Sequence, residues 1–133
     1  MTTRHAGIAV IAATALLAGA TAAMPAAKAQ TVRMVVVGTV NDEQTLGSGT
    51  FTATFGRVSD KGTWVARKNP TTFVDTWRFV GRRGTFKVSD FNLHWTFIRG
   101  TRAYAGLTGK GTEKEASLGF DQFRVVWRGT VTR

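Results

Sequence analysis

The stretch GTFTATF, residues Gly49–Phe55, alternates without a break: Phe51, Ala53 and Phe55 against Thr50, Thr52 and Thr54. A two-residue period puts one set on each face of an extended strand, so one face is apolar and the other polar. The same period returns on both sides of it. Phe73, Trp77 and Phe79 oppose Thr72, Thr76 and Arg78; Leu93, Trp95 and Phe97 oppose Asn92, His94 and Thr96. Phe123, Val125, Trp127 and Val131 oppose Arg124, Val126, Arg128 and Thr130. Helical periodicity is almost absent after residue 30.

The dipeptide Gly-Thr recurs at 38–39, 49–50, 62–63, 84–85, 100–101, 111–112 and 129–130. Glycine permits the positive φ of a turn or bulge and threonine suits the start of a strand, so these sites read as strand punctuation. Strands are expected at 32–41, 49–58, 62–68, 72–80, 84–90, 92–99, 111–116 and 120–132. Gly81-Arg82-Arg83-Gly84 is a short hairpin connection, and Asn69-Pro70 a turn. About eight antiparallel strands with no long crossover predict an all-β chain, a single small up-and-down β-barrel that removes its edges by closing. A two-sheet sandwich is the alternative.

Residues 1–29 differ from the rest. Arg4 and His5 precede an apolar run, Ala6–Ala23, then Pro25 and the small-x-small triplet Ala27-Lys28-Ala29. This is the pattern of a cleavable signal peptide, with the barrel domain at 30–133 and a secreted, periplasmic or cell-envelope location. An uncleaved anchor is the competing reading; the run is Ala-rich, at the lower length limit for a bilayer span, and lacks a basic stop-transfer flank. After cleavage no membrane span is expected. The chain has no cysteine, which excludes a lipobox, disulfides and thiolate metal sites.

The whole chain carries a net charge of +10, and residues 30–133 carry +8. That balance favours anionic partners such as an anionic envelope polymer. The bases are scattered in runs no longer than two, as at Arg67-Lys68 and Arg82-Arg83. Nucleic acid is not expected, because the aromatic residues fall on the buried parity rather than between exposed bases.

One segment is more specific. Phe97-Ile98-Arg99-Gly100-Thr101-Arg102-Ala103-Tyr104-Ala105-Gly106-Leu107-Thr108-Gly109-Lys110-Gly111 resembles the I-x-G-G-T-G-x-Y-x-G-x-x-G-x-G segment of the allene oxide cyclase/dirigent-like barrels. The resemblance is close over this segment and extends in rhythm to Gly49-Thr50-Phe51 and Gly84-Thr85-Phe86. It implies a barrel in which the segment ends one strand, turns and opens the next. Arg99 and Arg102 stand where the family has glycines, and the plant enzymes' catalytic residues have no counterpart here. The resemblance therefore implies the fold and not the cyclase activity.

Asp75 shares parity with Trp77 and Phe79, where an isolated carboxylate is costly; it must be paired, neutral, or turned outward by a bulge. Asp121 follows the same logic beside Phe123. Glu113 and Glu115 share a face and read as solvated. His94, on a polar face without a partner, gives no triad or metal site. The reading that follows is a barrel holding a small apolar molecule, with Trp64, Phe73, Trp77, Trp95 and Trp127 as lining, Asp75 as polar contact and Tyr104 packed in the family-like segment or at the cavity mouth. Catalytic residues are unassigned, and no metal or cofactor is expected. An isomerase or cyclase working by shaping its substrate in the same cavity is the enzymatic alternative, and a basic surface module the third reading.

Overall fold

The computed structural model describes residues 28–133; the leader read at 1–29 lies, but for its last two residues, outside the described residues. Eight strands follow one another: β1 (Gln30–Val40), β2 (Leu46–Phe55), β3 (Val58–Lys68), β4 (Asp75–Gly81), β5 (Thr85–Phe91), β6 (His94–Gly100), β7 (Thr108–Ser117) and β8 (Gln122–Thr132). A single 3-10 turn, Arg102–Tyr104, lies between β6 and β7. Each strand pairs antiparallel with the next, and β8 returns to β1 from Gln30↔Val131 to Thr39↔Gln122. The sheet is thus a closed up-and-down barrel, not a sandwich.

Inward parity follows the sequence alternation. Val32, Met34 and Val36 of β1, Phe51, Ala53 and Phe55 of β2, and Val125, Trp127 and Val131 of β8 are buried. At mid-height the interior is filled. Phe79 stacks on Phe86 at 4.7 Å, and Trp127 meets Phe79 edge-on at 5.6 Å and Trp77 at 5.1 Å. Such offset and edge contacts satisfy the ring quadrupoles while burying their area. These ring contacts leave the middle of the barrel packed.

Several boundaries differ from those read in the sequence. The turn after β2 is Gly56-Arg57, with Gly56 at φ 62, so Gly62-Thr63 lies inside β3 rather than at its start. Asn92 and Leu93 both have positive φ, 54 and 64, as the two central residues of a tight hairpin with left-handed geometry require. Leu93 therefore leaves the inward face on which simple alternation placed it. Phe73, also at positive φ, belongs to the 69–74 connection, where the Asn69 side chain accepts from the Thr71 and Thr72 amides, and β4 begins only at Asp75.

Most Gly-Thr pairs lie within strands, for a packing reason. A Cβ on Gly38 would stand 2.5 Å from the Trp64 ring, and one on Gly111 would stand 2.7 Å from the Trp95 ring and 2.0 Å from the Arg128 carbonyl. These glycines let an indole lie flat on the backbone inside a narrow barrel.

The end bearing the β2–β3, β4–β5 and β6–β7 connections is closed by Tyr104 and Leu107, both buried beside Phe55 and Phe97. There Asp60 gathers the chain. Its carboxylate accepts from the amides of Lys61 (2.7 Å), Arg82 (2.8 Å) and Arg83 (3.2 Å) and from the Tyr104 hydroxyl. Burial alone would raise its pKa, but these donors outweigh it and hold the carboxyl below its ordinary value, while burial and the Asp60 charge push the Tyr104 hydroxyl up. Gly111→Ala is expected to destabilise the barrel by about 1–3 kcal/mol through overpacking. Gly119→Ala, with nothing within 4 Å of its Cβ, is expected to leave stability unchanged. Urea unfolding midpoints of the two variants check the contrast.

Candidate functional site

The opposite end, formed by the β1–β2, β3–β4, β5–β6 and β7–β8 connections, is open. A cup of about 270 Å³ descends from this mouth between β3, β4, β7 and β8. Trp64, Trp77 and Phe123 form its apolar wall, with Trp64 and Trp77 centroids 4.6 Å apart and Phe123 5.5 Å from Trp64. The Trp64 indole N–H is shared between the Val37 and Thr50 carbonyls at 3.1 Å each, which fixes the ring. Asp75, Glu115 and Asp121 line the mouth together with Arg67 and Lys68. Lys68 Nζ stands 4.0 Å from Asp75 Oδ1.

Around the rim the turns display large apolar side chains. Leu46, Phe73, Phe91, Leu93, Leu118 and Phe120 are all exposed, Phe120 to 99% and Phe73 to 63%. They come from all four connections at the mouth or from their strand ends. Scattered exposed apolar residues are ordinary on any surface; a ring of them around one concave opening is not.

A chain of carboxyl groups lies beside the cup. Asp75 and Asp90 are directly opposite each other on β4 and β5, both inward. Asp90 is buried, accepts a 3.1 Å hydrogen bond from the Trp77 indole N–H, and has the carboxyls of Glu113 and Asp75 as neighbours. Burial, then the hydrogen bond and charge of Glu113, push the Asp90 carboxyl up to about 9. Burial, with the charges of Glu115 and Asp75, brings Glu113 up to about 7, although its hydrogen bond to Asp90 pulls the other way. Neighbouring carboxyls in a low-dielectric site cannot all ionise, so the group keeps a proton at neutral pH.

The structure brings together three of the residues singled out in the sequence, Asp75, Trp64 and Trp77. Trp127 lies fully buried beneath them, and Trp95, also buried, covers Gly111 and Gly129 and donates to the Thr112 carbonyl. Tyr104 sits at the opposite, closed end on Asp60. Phe73 stands on the rim rather than in the lining. Phe123, Asp90 and the half-buried Glu113 were missed as site residues. For Asp90 the signal was present: Phe86, Val88 and Asp90 share one parity in the sequence. Glu113, read as solvated beside Glu115, is half-buried because β6 pairs with both β5 and β7 and brings it close to Asp90.

Among the described residues no group of three His, Cys, Asp or Glu side chains is arranged to hold a metal ion. No helix among them is long and apolar enough to cross a membrane. The chain matches no family model, no curated protein and no solved structure.

The raised carboxyls fix a sign for the pH dependence of stability. Asp90 and Glu113 hold protons when folded that they release when unfolded, so their contribution to stability is greatest below their ordinary values of 3.8 and 4.5 and declines as pH rises towards 9. Asp60 acts oppositely, but its contribution is complete above pH 5. The melting temperature is therefore expected to fall by at least about 4 °C between pH 5 and pH 9. Asp90→Asn should flatten that slope; a flat profile in the parent chain would contradict the carboxyl chain described.

Proposed function

We propose that this chain is a secreted binding barrel that takes a small, mostly apolar molecule into the cup at its open mouth. The observation that carries the reading is the coincidence of two features at one end: the concave Trp64–Trp77–Phe123 wall and the exposed apolar rim. An apolar wall with a few polar groups at its margin is the usual composition of a small-molecule site, and 270 Å³ is close to the lower end of such pockets, so the guest is small or leaves one end in the rim. Asp75 and Glu115 give the mouth acceptors for a hydroxyl, amine or amide on that guest.

Kinship with the allene oxide cyclase/dirigent-like barrels belongs to the same reading. It is supported by the segment 97–111, which closes β6, forms the 3-10 turn and opens β7. An isomerase or cyclase acting in the cup is the second reading. It is favoured by the position of Asp90, buried directly opposite the cup-lining Asp75, where burial and neighbouring carboxyls raise its pKa. Such a group can donate a proton where bulk solvent cannot.

Titration with an uncharged aromatic probe such as 1-aminoanthracene, followed by tryptophan quenching, tests the binder. Saturable quenching is expected, nearly unchanged between 50 mM and 500 mM salt, and weakened at least tenfold by Phe123→Ala. An equally strong response in Phe123→Ala, or none in the parent, would remove the cup from the proposal.

A further inference from the structure

Charge is distributed along the barrel axis. Of the eight acids, Asp42, Glu43, Asp75, Asp90, Glu113, Glu115 and Asp121 lie in the mouth-side connections or point towards the mouth. Only Asp60 lies at the closed end, and its carboxylate is fully occupied by three amides and the Tyr104 hydroxyl. Around it stand Arg57, Arg82, Arg83 and Arg102 in turns, and Arg133 at the terminus. An approaching polyanion is drawn to the closed end, where the one carboxylate is already occupied and does not offset the arginines.

Next to that basic pole the outer wall is concave. A groove of about 410 Å³ runs over β1, β2 and β3 to the β4–β5 turn, lined by Arg33, Thr52, Thr54, Lys61, Arg82 and Arg83, with the largely buried Asp60 beneath them. The register explains the convergence. Arg33 faces Thr54, Thr54 faces Ser59, and Thr52 faces Lys61, all with outward side chains. The turn is fixed on the groove by Asp60, which binds the Arg82 and Arg83 amides, and by Arg83 Nε, which donates to the Ser59 carbonyl at 2.8 Å. Four cations thus surround a strip of hydroxyls; the Asp60 carboxylate holds the Lys61, Arg82 and Arg83 amides, and Arg83 is the one of the four whose side chain is tied to the backbone.

We propose that this groove docks an acidic polysaccharide, with Arg33, Lys61, Arg82 and Arg83 taking its carboxylate or sulfate groups and Thr52, Thr54 and Ser59 its ring hydroxyls. Guanidinium groups pair with planar or tetrahedral oxyanions through two N–H donors at once. The groove offers no aromatic face on which a nucleobase would stack, and its one apolar residue, Ala53, is buried and cannot enter a lipid layer. Docking here points the cup away from the polymer, so the two sites operate independently.

The test uses fluorescein-labelled heparin and alginate oligosaccharides in an anisotropy titration, with a single-stranded oligonucleotide of equal charge and phosphatidylglycerol vesicles as separate arms. One of the two glycans is expected to bind most tightly, with affinity falling steeply with salt. Arg33→Gln, Lys61→Gln and Arg82→Gln combined should weaken it at least tenfold. The charge-matched combination Arg78→Gln, Lys87→Gln and Arg99→Gln, on the other wall, should weaken it less than threefold. Thermal melts of both variants confirm folding, since five of the six side chains lie on the outer wall and Arg82 in an exposed turn. Equal losses in the two variants, tighter binding of the oligonucleotide or vesicles, or no glycan binding would each overturn the proposal.

Discussion

The flat packing of indoles on glycine backbone is the constraint from which the rest of this barrel follows. Trp64 lies on Gly38 and Gly47, and Trp95 on Gly111 and Gly129. Each pair of glycines belongs to adjacent strands, β1 with β2 and β7 with β8. Two large rings can lie inside a closed eight-stranded barrel only because the two strands next to each carry no side chain there. With Trp127, Phe79 and Phe86 they fill the middle, and this packing must supply the stability that a cysteine-free domain cannot draw from disulfides. The same packing confines any open volume to the mouth, where Trp64 and Trp77 present their outer edges to the cup.

The two ends then solve their polar problems differently. At the closed end one carboxylate, Asp60, takes four donors, so its charge is favoured and its pKa lowered. At the mouth side, acids that face inward have too few donors: Asp90 has one indole N–H and two carboxyl neighbours, and Glu113 leaves Oε2 buried without a partner. Retaining a proton is the cheaper solution for such a group than ionising in an apolar wall. The closed end is therefore a structural lock, and the mouth side holds carboxyls that keep a proton.

Much of the fold was legible because alternation is local. GTFTATF and the run Phe123–Val131 give their inward faces directly, and β2 and β8 are paired as that parity requires. Positions governed by contact across the barrel were not legible. The Gly-Thr rhythm reads as punctuation in one dimension, yet at Gly38, Gly49, Gly62, Gly111 and Gly129 it marks close backbone approach within paired strands. Parity also fails at positive φ: Leu93 and Phe73 turn outward because their residues complete tight connections. The site was half legible for the same reason. Asp75, Trp64 and Trp77 follow from parity, whereas Phe123 joins them only once β8 closes the barrel, and Glu113 joins Asp90 only once β6 pairs with both β5 and β7.

The central claim is that the barrel is solid at mid-height and receptive only at its mouth, and the four tryptophans report on it from four positions. Their indole N–H groups give separate resonances in a proton–nitrogen correlation spectrum. Trp77 donates to Asp90, Trp64 to two carbonyls and Trp95 to Thr112, while Trp127 is buried without a partner. The decisive measurement adds an uncharged aromatic probe to nitrogen-15-labelled residues 30–133 and follows those four signals. The account predicts that the Trp64 and Trp77 signals shift and saturate together while the Trp95 signal stays in place. A saturating shift at Trp95 with Trp64 and Trp77 unmoved would contradict it, because the probe would then have entered where the rings leave no room.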